Sequence, residues 1–155
     1  MEHRIGGLEK QDITGNVSYD PDNHQHMVKI RQAKVDKIAD HIPLQHLDSG
    51  AETGDLLVIG WGSTYGAIKS AVLELQQQGY VVSHAHLRYV RPFPKNLGQI
   101  IKGFKQVLVP EINNGQLVKI LRDIYMLDAK GYNKIMGIPI TKTELVAEMS
   151  AMLKK

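Results

Sequence analysis

The run Asp55-Leu-Leu-Val-Ile-Gly-Trp-Gly-Ser-Thr-Tyr-Gly66 has the residue types of a phosphate cradle: a buried apolar strand, a glycine-rich turn and a helix start. There Gly60 and Gly62 permit tight turning, Ser63 is placed to cap the helix, and backbone N–H groups point where an anion sits. Gly60, Gly62, Ser63 and Thr64 are therefore a candidate anion site, with a plain capped β–α turn as the alternative. The dinucleotide form of this chemistry is missing two parts. Tyr65 stands where the third glycine of G-x-G-x-x-G belongs, and the next strand, Tyr80-Val-Val-Ser-His-Ala-His-Leu87, has no acid to hold a ribose.

Two further loops carry chemistry. Arg88 and Arg91 flank Tyr89 in a loop stiffened by Pro92 and Pro94. Guanidiniums beyond a strand's carboxyl end pair with carboxylates across an interface, or with a phosphate or carboxylate of a ligand. Glu111, Asn113 and Asn114 directly follow a strand, and either asparagine suits a helix cap. No second carboxylate stands near Glu111, so paired acid–base catalysis is not indicated, and no catalytic residue is assigned. His24/His26 and His84/His86 are i, i+2 pairs, a spacing that puts both rings on one face of a strand. Neither has a further ligand at metal spacing, so both read as polar residues on an exposed arm or at a strand end, and no metal is assigned.

Composition narrows the field. At 155 residues, 43% hydrophobic and 23% charged, the chain suits one globular domain with an appended arm. The net charge of +3 is spread without a basic run, which gives nucleic-acid binding no support. No apolar stretch approaches the roughly 18 residues of a membrane span, and no signal peptide is evident, so a cytoplasmic location is expected. Cysteine is absent, which excludes disulfides, thiolate catalysis and a Cys-ligated iron–sulfur cluster within this chain.

The elements that hold these residues alternate. Residues 1–50 read as a polar arm and linker, with a helix from an Asp22 or Asn23 cap to about His41 that ends before Pro43. Its narrow stripe of Met27, Val28, Val35, Ile38 and Ile42, interrupted by Arg31, suits packing against a partner, including a second copy of the chain or its own domain. From 51 to 155 strands are expected at 56–59, 81–87, 106–109 and 134–136. Helices are expected at about 64–78, 97–102 and 115–127, with a last one opened by the capping box Thr141-Lys-Thr-Glu144. This order predicts a three-layer α/β fold with a mostly parallel central sheet and helices on both faces.

Four motifs in order resemble the C-terminal part of the alpha subunit of 2-oxoacid:ferredoxin oxidoreductases, most closely the 2-oxoglutarate type: Gly60–Gly66, His84–Pro94, Val109–Leu117 and Asp128–Lys134. The opening segments His3–Glu9 and Gly15–Pro21 resemble what precedes this domain in those subunits. The resemblance implies a transketolase C-terminal-like fold and a fragment of a longer subunit that lacks its N-terminal domain. It implies a whole enzyme that oxidatively decarboxylates a 2-oxoacid to an acyl-CoA and passes electrons to ferredoxin. Thiamin diphosphate, Mg²⁺ and the iron–sulfur cluster would belong to other domains or to the beta subunit, with CoA as co-substrate. This sequence has no Gly-Asp-Gly…Asn diphosphate motif, so the domain is expected to serve assembly and positioning and to be inactive alone. Arg88, Arg91, Glu111, Asn113 and Asn114 are its interface or ligand candidates. Two rival readings stand beside this one: a free-standing flavodoxin-like phosphate or nucleotide module, and the matching domain of a 2-oxoacid dehydrogenase beta chain.

Overall fold

A computed structural model describes residues 7–154; His3 and the rest of the opening motif up to residue 6 lie outside the described residues. The chain divides into two units, one ending at Ile42 and one beginning at Pro43, whereas the sequence reading put the boundary at 50/51.

In the first unit Lys10 and Val17 bridge antiparallel and close a turn. Helix α1 (Pro21–Lys37) follows, then a 3-10 turn over Ile38–Asp40. The helix starts earlier than expected because Asp20 caps it, its carboxylate accepting from the backbone N–H of Asp22 at 3.0 Å, while Pro21 pre-sets the first helical φ. Asn23 turns instead to the preceding turn, donating to the Lys10 carbonyl at 3.0 Å and accepting from the Asp12 N–H at 3.1 Å. Arg31, which interrupts the apolar stripe, makes a forked pair with Glu9 at 3.0 and 2.8 Å. No residue of α1 is buried.

The second unit holds β1 (Gly54–Trp61), α2 (Tyr65–Gln77), β2 (Val82–Leu87), α3 (Leu97–Lys102), β3 (Phe104–Glu111), α4 (Gln116–Tyr125), β4 (Ala129–Asn133) and α5 (Lys142–Leu153). The four strands are all parallel, in the order β2-β1-β3-β4. Side-chain alternation along β1 divides the core. Leu56 and Val58 meet Ile68, Val72, Leu145 and Met149 of α2 and α5, whereas Leu57 and Ile59 meet Leu97, Leu117 and Leu121 of α3 and α4. The three-layer α/β expectation holds, and both faces of the central strand are dry, which is why it reads as a continuous apolar run.

Two expectations are corrected. The fourth strand is Ala129–Asn133, not 134–136. It is an edge strand with one partner, so Ala129 is buried while Lys130 and Asn133 are exposed, and no apolar run marks it. Residues 48–51, where the linker was expected to end, lie along the free edge of β2. Ser49 bridges His84 antiparallel, the Asp48 N–H donates to the His84 carbonyl at 2.7 Å, and Ser83 Oγ donates to the Ala51 carbonyl at 2.7 Å. Covering that edge satisfies backbone groups that would otherwise template another strand. The Thr141–Glu144 capping box is present as expected, with the Thr141 N–H donating to the Glu144 carboxylate at 2.7 Å.

Candidate functional site

Adjacent strands β1 and β3 send their connections opposite ways: β1 leads through α2 to β2, and β3 leads through α4 to β4. Their following loops therefore diverge beyond the carboxyl ends and leave a crevice, the usual ligand position of an open α/β sheet. A cleft of about 170 Å³ lies there, lined by Trp61, Gly62, Ser63, Thr64, Ile112 and Asn113. It adjoins a second of about 260 Å³ that adds the loop 137–140.

The glycine turn is built for packing as much as for ligands. A Cβ on Gly60 would lie 2.4 Å from Ile68 Cδ1 and 3.1 Å from His86 Nδ1, so any larger residue there would push against the packing of α2 on the sheet. Gly62 sits at φ 59°. Ser63 is exposed and is not the cap. Thr64, buried, closes the turn instead, its hydroxyl donating to the Trp61 carbonyl at 2.8 Å and accepting from the Trp61 N–H at 3.3 Å. Trp61 is half-buried against the core on the α3/α4 side.

Across the crevice Glu111 is turned inward and fully buried. Its carboxylate accepts from the N–H groups of Leu117 at 2.9 Å and Val118 at 3.0 Å, and from Asn113 Nδ2 at 3.1 Å. Asn113 Oδ1 accepts from Gly115 and Gln116 at 2.8 and 3.0 Å. The start of α4 is thus capped by an internal carboxyl group that accepts from its first free N–H groups. Asn114 does not cap the helix; Gly115, at φ 75°, occupies that position.

Arg88 and Arg91 lie beyond β2 on the far side of β1 from β3, so they and Glu111 do not form one site. Both are exposed. Arg88 and Tyr89 border a cleft of about 210 Å³ that also reaches Asp48 and His86.

The structure adds a cluster that the sequence reading treated as incidental. His84 and His86 do share a face of β2, with ring centroids 5.7 Å apart, and Tyr65 packs on both at 5.5 and 4.9 Å. His84 is fully buried in mid-strand, not at a strand end, and among the described residues both its ring nitrogens lack a hydrogen-bond partner, as do Ser49 Oγ and His86 Nδ1. Burial holds the His84 imidazole down at about 4, partly offset by Asp48 and reinforced by His86 and Lys69, and His86 is lowered in the same direction by burial. Asp48 accepts the His86 backbone N–H at 2.8 Å. The i, i+2 spacing found this pair, but its burial depends on Asp48 and Ser49, which arrive from a segment with no strand pattern. His24 and His26 are on a helix, not a strand, and pair separately with Glu9 at 2.7 Å and Asp12 at 2.8 Å. Among the described residues no three His, Asp or Glu side chains are grouped to hold a metal ion.

Comparison with known proteins places this geometry. Residues 54–144 match the family model described as pyruvate:ferredoxin oxidoreductase core domain II. The chain is 44% identical to the 2-oxoglutarate oxidoreductase subunit KorA of Mycobacterium tuberculosis over 94% of its own length and 22% of that subunit. It superposes with a TM-score of 0.86 and 27% identity on a 2-oxoglutarate:ferredoxin oxidoreductase from Magnetococcus marinus, solved with 2-oxoglutarate, coenzyme A and succinyl-CoA bound. That match covers 98% of this chain and 27% of the other. A split-gene transketolase shares the fold at a TM-score of 0.54 and 14% identity, over 68% of this chain and 39% of that one. The chain therefore spans about a quarter of the length of the oxidoreductase chains it matches.

Proposed function

The chain belongs to the pyruvate:ferredoxin oxidoreductase core domain II family, and from that premise we propose that it is the C-terminal α/β domain of the alpha subunit of a 2-oxoglutarate-type 2-oxoacid:ferredoxin oxidoreductase. Its task in this reading is to position the rest of that subunit and a thiamin-binding beta subunit in the cytoplasm. The whole enzyme would oxidatively decarboxylate a 2-oxoacid to an acyl-CoA and pass the electrons to ferredoxin. The observation that carries this reading is 44% identity to the KorA subunit across 94% of the chain. It favours the oxidoreductase over a flavodoxin-like module or a dehydrogenase beta chain.

The residues present do not fit the enzyme's redox and thiamin groups. The chain has no cysteine for a cluster, and the N-terminus of α4 is filled by the protein's own Glu111 carboxylate. No chemical step is assigned to this chain. Its contribution is a four-stranded parallel sheet with clefts among the loops at the carboxyl ends of its strands.

The test is a chimera in which this sequence replaces the matching segment of the M. tuberculosis KorA subunit, co-expressed with its partner. The expected result is reduction of a one-electron dye that depends on both 2-oxoglutarate and CoA, with no turnover by the chain alone. An assembled chimera with native cofactor content but no such activity, or turnover by the chain alone, would overturn the reading.

A further inference from the structure

The loop 134–140 exposes large apolar side chains while being held rigidly at its base. Ile135, Met136 and Ile138 are 62%, 71% and 53% exposed, and Ile112 on the neighbouring loop is 48% exposed. Ile112 and Ile138 line the same cleft, and Ile112 also lines the one beside Trp61. Ile112 and Ile138 thus share an apolar cleft beyond the carboxyl ends of β1 and β3, and Ile135 and Met136 stand exposed on the same short loop as Ile138. The exposure does not come from a loose segment. Lys134, buried, donates through Nζ to the Pro139 carbonyl and to both Glu144 oxygens, each at 2.9 Å, and its backbone N–H donates to the Glu111 carbonyl at 2.9 Å. Apolar side chains of this kind, kept in water by a braced loop, mark a contact surface.

Charge selects the occupant. The loops at this end (61–66, 88–95, 111–115, 134–140) contain one acid, Glu111, and it is buried. Arg88 and Arg91 are exposed, and neither belongs to an ion pair among the described residues. A second copy of the chain would bring the same unpaired cations to the same edge, so self-association is disfavoured. Most of the length of the matched relatives lies outside this chain. Resting on the alpha-subunit assignment, we infer that Ile112, Ile135, Met136 and Ile138 dock on an apolar, carboxylate-rimmed face of the remainder of the same longer subunit, with Arg88 and Arg91 pairing at its rim.

Hydrogen exchange of the KorA chimera and of the isolated chain tests this directly. Amides of 112–115 and 134–140 should exchange about tenfold or more slowly in the chimera. The double substitution Ile135→Asp with Met136→Asp should abolish that difference, yet leave the melting temperature of the isolated chain unchanged because these side chains are the most exposed of the four. Arg88→Glu with Arg91→Glu should make the protection weaker and less salt-dependent. A second reading adds the KorA subunit lacking its matching segment to the isolated chain and follows the same amides in trans. Equal exchange in chimera and isolated chain overturns the inference. So does a dimer of the isolated chain by light scattering that the apolar double substitution dissolves. Protection is read without turnover, so an inactive chimera with a protected loop overturns the enzyme assignment alone.

Discussion

The Glu111 carboxylate accepts the backbone N–H of Leu117 at 2.9 Å, from a strand end into the first turn of the following helix. A residue expected at an outer face is thereby an internal cap. Glu111→Ala should destabilise the domain by about 1–3 kcal/mol, because it leaves buried N–H groups of α4 unsatisfied. Glu111→Gln should cost less, since one oxygen remains an acceptor. Urea midpoints at constant m-value check both, and an unchanged midpoint for the alanine variant would refute the capping role.

His84 gives the stability a specific pH slope. Its ordinary value of 6.5 falls to about 4 in the folded protein. Between those values the unfolded chain holds the extra proton, so stability is fully present above about 6.5 and decreases as the pH drops toward 4. The loss between pH 7.5 and 5 should be about 2 kcal/mol from this residue. Denaturant titrations at the two pH values should show the slope, and His84→Leu should flatten it.

Gly60→Ala places a Cβ against Ile68 Cδ1, at 2.4 Å before relaxation. Overpacking of this kind costs about 1–3 kcal/mol. Ile68→Val removes the opposing methyl, so the double variant should be more stable than the sum of the two single changes predicts. Strict additivity in a thermal-unfolding cycle would count against the packing explanation.

Lys134 and Glu144 form the brace beneath the apolar loop. Lys134→Met should lower stability only modestly, because the Pro139 carbonyl and the Glu144 carboxylate that lose their partner can turn to water, and should speed exchange of the amides in 135–140. The Lys134 ammonium, with the Thr141 N–H and hydroxyl, holds the Glu144 carboxyl down at about 2, from 4.5. Because the folded value is depressed, this contribution is present above pH 4.5 and is lost as the pH falls from there toward 2. Protection of the loop amides, measured relative to their intrinsic exchange rates at each pH, should fall in that window, which extends below the one governed by His84.

The sequence by itself determined the alternation of strands and helices, and its physical basis is local. Leu56–Ile59 is apolar on both faces because helices cover both, Ile68, Ala71, Val72 and Leu75 recur at helical spacing, and Thr141 with Glu144 form a cap from four consecutive residues. The glycine turn was legible for the same reason. Only the tertiary structure decided which polar residues face inward. Glu111 and Asn113 stand side by side in sequence with the exposed Ile112, but the carboxylate is captured by an amide pair six and seven residues on. β4 was invisible because an edge strand needs no apolar run. The edge-covering role of Asp48 and Ser49 was invisible because their partners, His84 and His86, lie more than thirty residues away and are set by sheet register. Spacing specifies which face a residue takes along its own element. Burial, pairing and charge depend on what long-range packing brings against that face.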